Sequence, residues 1–126
     1  MLSAKDLLHA HETIRRCANQ RELPAQLQSV FLLIASNNGD MPQMNIGDAL
    51  GMTRSSVSRN VSWLGPRNKC KDHEGLGWIE IYRKPHDSKS NHVRLTHLGR
   101  TVLAEALNPI SNPIFPENLI QPYRSN

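Results

Sequence analysis

Residues 43–65 read QMNIGDALGMTRSSVSRNVSWLG, and this stretch decides the fold. A short helical segment from Gln43 to Leu50 is followed by Gly51, and Thr53 offers a side-chain cap for a second helix that ends at Gly65. Glycine permits the tight turn at which two helices cross closely. The pattern therefore predicts a helix-turn-helix.

The two predicted helices divide into an apolar face and a polar face. The apolar anchors are Ile46, Ala49, Leu50, Val57, Val61 and Leu64. The side chains left outward on the second helix are Thr53, Arg54, Ser55, Ser58, Arg59 and Ser62. Short hydroxyls let a helix approach closely, and arginines reach base edges or phosphates. This face is predicted to enter the major groove of double-stranded DNA, the alternative being a solvated helix that is serine-rich by chance.

Two amphipathic helices are predicted upstream of this motif. Residues 3–20 form the first, which begins at Ser3. Its apolar positions near one face are Leu7, Leu8, Ile14 and Cys17 or Ala18. Pro24 suits the first turn of the second helix. Its apolar positions follow the i, i+3, i+4, i+7 spacing of a buried face and are Leu27, Val30, Phe31 and Ile34.

A hairpin and a last helix are predicted downstream. The polar run 67–77 indicates a loop, whereas residues 78–83 and 92–95 alternate like half-buried strands, with Ile79 and Ile81 on one side. The polar link 84–91 predicts a flexible tip. Thr96 is then a candidate cap for the final helix.

Basic side chains flank the tip of the predicted hairpin. They are Arg83, Lys84, Lys89 and Arg94. Such a hairpin lies along the DNA backbone or enters the minor groove, and Arg83 and Lys89 are the preferred contacts. The alternative is a turn whose charges serve only solubility, since Asp87 lies among them.

The order of these elements is that of a winged helix-turn-helix, a mainly α fold with a small β-hairpin. Residues 1–22 are assigned to an N-terminal helix that is a candidate dimerisation element. Residues 23–107 are assigned to a winged-helix DNA-binding domain, and residues 108–126 to a Pro-rich extended tail.

The distribution of charge favours a nucleic-acid partner. Residues 54–100 carry ten Lys or Arg against four Asp or Glu, whereas the rest of the chain carries five against seven. A concentrated basic surface gains binding free energy by releasing the counterions condensed on phosphates. An ordinary solvated basic surface is the alternative.

Composition indicates the setting of the protein and argues against several classes. The chain has two cysteines and no apolar leader, which favours a cytoplasmic location without disulfides. No run approaches the roughly 18 apolar residues of a membrane span. No nucleophile elbow, phosphate-binding glycine loop or paired carboxylates are present, so we expect no catalysis and no cofactor.

Two further alternatives concern cysteine and histidine. Zinc ligation by Cys70, His73, His86 and His92 is disfavoured because their spacing matches no compact finger. A redox-sensing role for Cys17 is also disfavoured, because a cysteine on an amphipathic helix is usually a small core residue.

Two segments carry a resemblance to a known family. Met44–Leu64, reading MNIGDALGMTRSSVSRNVSWL, and Gly75–Leu107, reading GLGWIEIYRKPHDSKSNHVRLTHLGRTVLAEAL, resemble MarR-family regulators. The shared features are the SSVSR core, a glycine-led strand, an acid near the hairpin tip, and Leu95 and Thr96 followed by Gly99. The resemblance implies a homodimer that binds pseudo-palindromic DNA, with the recognition helix in the major groove and the wing beside it.

The chain departs from that family at several places. Asn60 stands where the family generally has an apolar residue, Gly47 stands where alanine is usual, and Lys89 replaces an arginine. Pro66–Glu74 lengthens the link between recognition helix and wing. The Pro-rich end replaces the long final helix with which the family dimerises, and the sequence does not identify a small-molecule effector.

Three roles are compatible with these features. A transcriptional regulator that represses by covering a promoter is the first choice, because a lone winged helix needs no effector domain for this. A plasmid or phage protein that binds a replication origin or partition site is the second. A winged helix used only to bind protein is the third.

Overall fold

A computed structural model of the chain describes residues 2–19, 23–68 and 73–108, so that nearly all of the predicted Pro-rich tail lies outside the described residues. In chain order the elements are α1 (Ala4–Cys17), α2 (Ala25–Ser36), β1 (Asp40–Pro42), α3 (Met44–Leu50), α4 (Arg54–Leu64), β2 (Arg67–Asn68), β3 (His73–Glu74), β4 (Ile79–Lys84), β5 (Asp87–Leu95) and α5 (His97–Ala106). The predicted mainly α, winged helix-turn-helix class is confirmed. None of the helices in these ranges is long and apolar enough to cross a membrane.

Helix α2 is the centre of the core, as its spacing predicts. Leu27, Val30, Phe31 and Ile34 are all fully buried. The ring of Phe31 lies 5.0 Å from the ring of Trp78, centroid to centroid, which joins α2 to the start of the wing. Helices α3 and α4 and strand β5 pack against α2, so the helix-turn-helix and the wing share one core.

The turn between α3 and α4 has the predicted construction. Gly51 adopts the left-handed conformation, with φ 66° and ψ 38°, and ends α3. The Thr53 hydroxyl accepts a hydrogen bond of 3.1 Å from the Ser56 backbone N–H and caps α4. A Cβ on Gly47 would lie 2.8 Å from the Met52 carbonyl oxygen, so the glycine lets the turn pack closely against α3.

The predicted anchors of this motif are mostly correct. Those buried in the core are Ile46, Val57, Val61 and Leu64. Leu50 is half-buried and packs against the core. The prediction for Ala49 is wrong, because the seven-residue α3 turns Ile46 fully inward and leaves Ala49 exposed.

Helix α1 runs from Ala4 to Cys17 with Ser3 as its N-cap, so its start lies one residue beyond the predicted one, and it buries a different face. Ser3 and Asp6 form a reciprocal capping box, and the hydrogen bond from the Ser3 backbone N–H lowers the pKa of Asp6. Ile14 and Ala18 enter the core, whereas Leu7 and Leu8 are 56% and 49% exposed. The predicted apolar face is therefore only partly correct.

The packing of α1 against α5 explains the difference. His9 and Thr13 are the buried polar residues of α1, and the His9 Nε2 atom lies 3.4 Å from the Glu105 carbonyl oxygen of α5. The Thr13 hydroxyl donates to the His9 carbonyl oxygen at 2.6 Å. A polar stripe can face the neighbouring helix because such local hydrogen bonds satisfy it.

The wing is a three-stranded antiparallel sheet in the order β1-β5-β4. Strand β1 was not predicted; it pairs Asp40 with Arg94 and Pro42 with His92. The predicted link 84–91 is too long, because β4 continues to Lys84 and β5 begins at Asp87. Ile81 shares a face with Ile79 but is 44% exposed, since it lies beyond the core on the edge strand.

The segment 67–77, predicted as a loop, contains a short antiparallel pair. Strand β2 pairs with β3 in the register Arg67 to Glu74 and Asn68 to His73. The end of this segment returns to α4, because the Leu76 and Gly77 backbone N–H groups donate to the carbonyl oxygens of Trp63 and Gly65. The lengthened link is thus held by hydrogen bonds to the carboxyl end of α4.

The Leu95, Thr96 and Gly99 pattern forms the joint between the wing and α5. The Thr96 hydroxyl accepts from the Gly99 N–H at 3.1 Å and donates to the Gly77 carbonyl oxygen at 2.6 Å. A Cβ on Gly99 would collide with the Trp78 carbonyl oxygen. Only glycine therefore lets α5 approach the start of β4 this closely.

We expect Gly99→Ala to destabilise the fold by about 1–3 kcal/mol, the cost of overpacking a close contact. The gain in helix propensity, about 1 kcal/mol, is outweighed because the new methyl group meets backbone rather than a movable side chain. Urea denaturation measures the effect. Ala104→Ser at an exposed site of the same helix is the control, and equal stability of the two variants would contradict the expected clash.

Candidate nucleic-acid interface

Helix α4 presents its polar side chains on the face opposite its core anchors. Thr53, Arg54, Ser55, Ser58 and Arg59 are exposed, and Ser62 is half-buried. The hydroxyls of Thr53 and Ser55 lie 3.2 Å apart at the amino end of the helix. The exposed face thus combines short hydroxyls with two arginines, the composition needed for close approach to a polyanion.

A groove of about 600 Å³ runs between this helix and the wing. Arg54 and Ser58 of α4 line one side, and Lys89 of β5 lines the other. Met44 and Met52 contribute apolar surface, and Asp48 adds one acid. The groove therefore brings together side chains of two elements that are distant in the sequence, and two of them are cations.

A second groove of about 450 Å³ adjoins the first and continues toward the carboxyl end of α4. Ser58, Ser62 and Ile81 are among its lining residues. Ser58 lines both grooves, so the two grooves adjoin along α4. The exposed face of Ile81 is consequently part of the surface beside the recognition helix.

The basic residues of the wing occupy two different places. Lys84 is exposed at the turn of the hairpin, and Arg83 precedes it with its Nε donating to the Asn91 Oδ1 atom at 3.2 Å. Lys89 lies farther along β5 and faces the groove beside α4. Lys89 is thus among the residues that line this groove, whereas Arg83 and Lys84 are not.

Arg94 is held at the base of the wing. Its Nε donates to Glu80 Oε1 at 2.5 Å, which raises the pKa of Arg94, and its Cζ atom lies 4.2 Å from the centroid of the Tyr82 ring. The Tyr82 hydroxyl in turn donates to the Asp40 carboxylate at 2.6 Å, and this bond raises the pKa of Tyr82. Arg94 therefore joins the three strands, and its charge is matched by acids within the sheet.

Sequence reasoning missed Gln43 as a part of this surface. Gln43 lines both grooves, and its backbone N–H donates to the Asn91 carbonyl oxygen at 2.9 Å. Its Oε1 atom is buried without a hydrogen-bond partner among the described residues. The only sequence signal was a polar residue directly before the first helix of the motif.

The histidines and cysteines show no metal centre within the described ranges. No group of three His, Cys, Asp or Glu side chains there is arranged to hold a metal ion. Of the four zinc candidates, Cys70 lies outside the described residues, so that hypothesis stays untested. His92 is buried and stacks on Tyr82, with its Nε2 atom 3.8 Å from Asp87 Oδ2.

Cys17 is exposed at the end of α1 rather than a core residue. Partial burial of its thiol raises the pKa of Cys17, and the Glu105 carboxylate adds to the effect. The thiolate is the reactive form, so both influences lower the reactivity of this cysteine at neutral pH.

The fold is similar to those of several solved transcriptional regulators. The PcaV regulator from Streptomyces coelicolor, in complex with its natural ligand, matches 82% of this chain at 24% identity and a TM-score of 0.55. A cysteine-to-serine mutant of MarR from E. coli, complexed with operator DNA, matches 80% at 16% identity and a TM-score of 0.54. Reduced AbfR bound to DNA matches 82% at 16% identity and a TM-score of 0.53.

These similarities concern the shape of the chain. The chain spans 66% of the PcaV structure and 65% of the MarR structure, just under two thirds of each. No protein-family model matches the sequence, and no curated protein matches it significantly. The described residues therefore form a MarR-like winged helix, the fold seen in this group of transcriptional regulators.

Proposed function

We propose that the protein is a sequence-specific, double-stranded DNA-binding transcriptional regulator that acts as a repressor and homodimer. One observation carries the proposal: Arg54 and Ser58 of the exposed face of α4 lie beside Lys89 of the wing along a single groove. Similar structures bound to DNA, MarR with its operator and AbfR, support this use of the fold.

The chemistry of the surface supports a division of labour in DNA binding. Arg59 is exposed on α4 together with Arg54, which supports a role in contacting base edges when the helix enters the major groove. The serine side chains of α4 are short, so they let the helix backbone approach the DNA closely. Arg83 and Lys84 on the hairpin contact the backbone or the minor groove. Arg94 acts mainly by shaping the base of the wing, since an acid and an aromatic ring of β4 already engage it.

The homodimer is supported by apolar side chains that the monomer leaves outside its core. On the mutually packed helices α1 and α5 and at their ends, the exposed leucines are Leu2, Leu7, Leu8, Leu98 and Leu107. Burying such surface is favourable at about 25 cal/mol per Å² of apolar area. We propose that these two helices form the dimer contact and that each dimer presents two recognition helices to the two halves of a pseudo-palindrome.

Selection of bound sequences from a random duplex pool tests the regulatory role. A single enriched pseudo-palindrome is expected, because a two-fold dimer reads the same half-site twice. Enrichment of tandem repeats would favour the replication-origin or partition role instead. Absence of any enrichment at low salt would favour a winged helix that binds only protein.

Arg59→Ala is expected to weaken binding to the selected site by about 1–3 kcal/mol through a lost base contact, and Arg54→Ala to weaken it as well. Titration of each variant against labelled duplex measures the loss. Ser29→Ala at an exposed site of α2, outside the proposed dimer contact, is the control. Arginine variants that bind like the control would refute the assignment of α4 as the recognition helix.

Leu8→Glu is expected to convert a dimer into a monomer, because it places a charge in the proposed apolar contact. Sedimentation equilibrium measures the mass, and circular dichroism verifies that the helices remain. Ser29→Glu introduces the same charge at an exposed site of α2 and should leave the dimer intact. A Leu8→Glu protein that sediments as a dimer would place the interface elsewhere.

A further inference from the structure

The register of the wing contains a large bulge that the sequence did not reveal. Tyr82 pairs with His92, and the next pair along the hairpin is Lys84 with Asp87. One residue of β4 therefore lies opposite four residues of β5, positions 88–91. Bulges of this kind bend a strand and re-aim the side chains they carry.

Two hydrogen bonds hold the bulge in place at Asn91. The Gln43 N–H, directly before α3, donates to the Asn91 carbonyl oxygen at 2.9 Å. The Arg83 Nε of the neighbouring strand donates to the Asn91 side chain at 3.2 Å. Lys89, Ser90 and Asn91 consequently line the groove of about 600 Å³. The bulge thus places Lys89 beside the recognition helix instead of at the tip of the hairpin.

Arg54 lies in the same groove, at the first residue of α4. Within the described ranges, neither Arg54 nor Lys89 forms an ion pair with an acidic side chain, although Asp48 also lines the groove. Two cations from separate elements that converge on one groove suit a single anion. The amino end of the 11-residue α4 adds a favourable dipole for that anion.

We propose that Arg54 and Lys89 bind the same DNA phosphate, one that flanks the major groove occupied by α4. This rests on the proposed DNA binding and assigns Lys89 a new role. Lysine is a compact point charge suited to phosphate, and it lacks the planar fork with which arginine reads guanine. Lys89 therefore sets the depth and register of the recognition helix, whereas Arg83 and Lys84 make the separate contacts of the hairpin tip.

A phosphate-neutralisation scan tests the shared contact. The probe is a duplex with the sequence selected by the wild-type protein, in which one phosphate at a time is replaced by an uncharged methylphosphonate. One position should weaken wild-type binding several-fold. That same position should have a smaller effect on Arg54→Ala and on Lys89→Ala, because each variant keeps one of the two cations, and little effect on the Arg54→Ala, Lys89→Ala double variant.

Lys84→Ala is the matched control from the same hairpin, and it should keep the full sensitivity to the shared phosphate. Lys89→Arg retains the charge and should restore that sensitivity. The salt dependence provides a second readout: the Arg54→Ala, Lys89→Ala double variant should lower the slope of log K against log salt by about 0.9, the value for one phosphate, rather than about 1.8.

Distinct phosphates for Arg54 and Lys89, no phosphate for Lys89, or a slope change near about 1.8 would each overturn the shared contact while leaving DNA binding intact. A wild-type protein that binds no duplex would instead overturn the proposed function. The two failures are therefore distinguishable in one set of titrations.

Discussion

The close contact of three elements at Trp78 is the constraint on which the rest of the structure depends. The backbone N–H of Trp78 donates to the Leu64 carbonyl oxygen at the end of α4. The backbone carbonyl oxygen of Trp78 accepts a hydrogen bond from the Thr96 N–H. Gly99 presses against that carbonyl, and the indole ring meets Phe31 in the core. One residue thereby relates the recognition helix, the wing and α5, so the relative position of helix and wing is set by backbone rather than by long side chains.

A second set of contacts turns this scaffold into one continuous surface. Strand β1 and the segment before α3 lie against β5, and the hydrogen bond from Gln43 to Asn91 ties the helix-turn-helix directly to the wing. The hydrogen bonds from Tyr82 to Asp40 and from Arg94 to Glu80 stabilise the base of the sheet. The Glu80 carboxylate also balances the positive charge of Arg94. In the described parts of the helix-turn-helix and the wing, Arg54, Arg59, Lys84 and Lys89 are exposed and form no ion pair with a described acid, so positive charge is concentrated where the two elements meet.

The sequence predicted well wherever local rules govern the chain. The buried face of α2 follows the helical period, Gly51 and Thr53 have turn and cap chemistry, and the apolar anchors of α4 share one side of that helix. The errors occur where neighbours remote in sequence decide burial. Ala49 and Leu7 are apolar and lie at positions where the helical period predicts burial, but no described element covers them. His9 is buried because α5 packs over it and a backbone carbonyl lies within reach.

The sequence by itself determined the order of elements, the class of fold and the polar character of α4, because period, caps and the glycine turn act over a few residues. Tertiary structure alone decided the pairing of β1, the bulge at 88–91 and the placement of Lys89 and Arg54 along one groove. Strand register depends on hydrogen bonds between distant segments, and the three residues of β1 carry no periodic signal. The helix-turn-helix could therefore be predicted from residues 43–65, whereas the groove that it forms with the wing exists only in the folded chain.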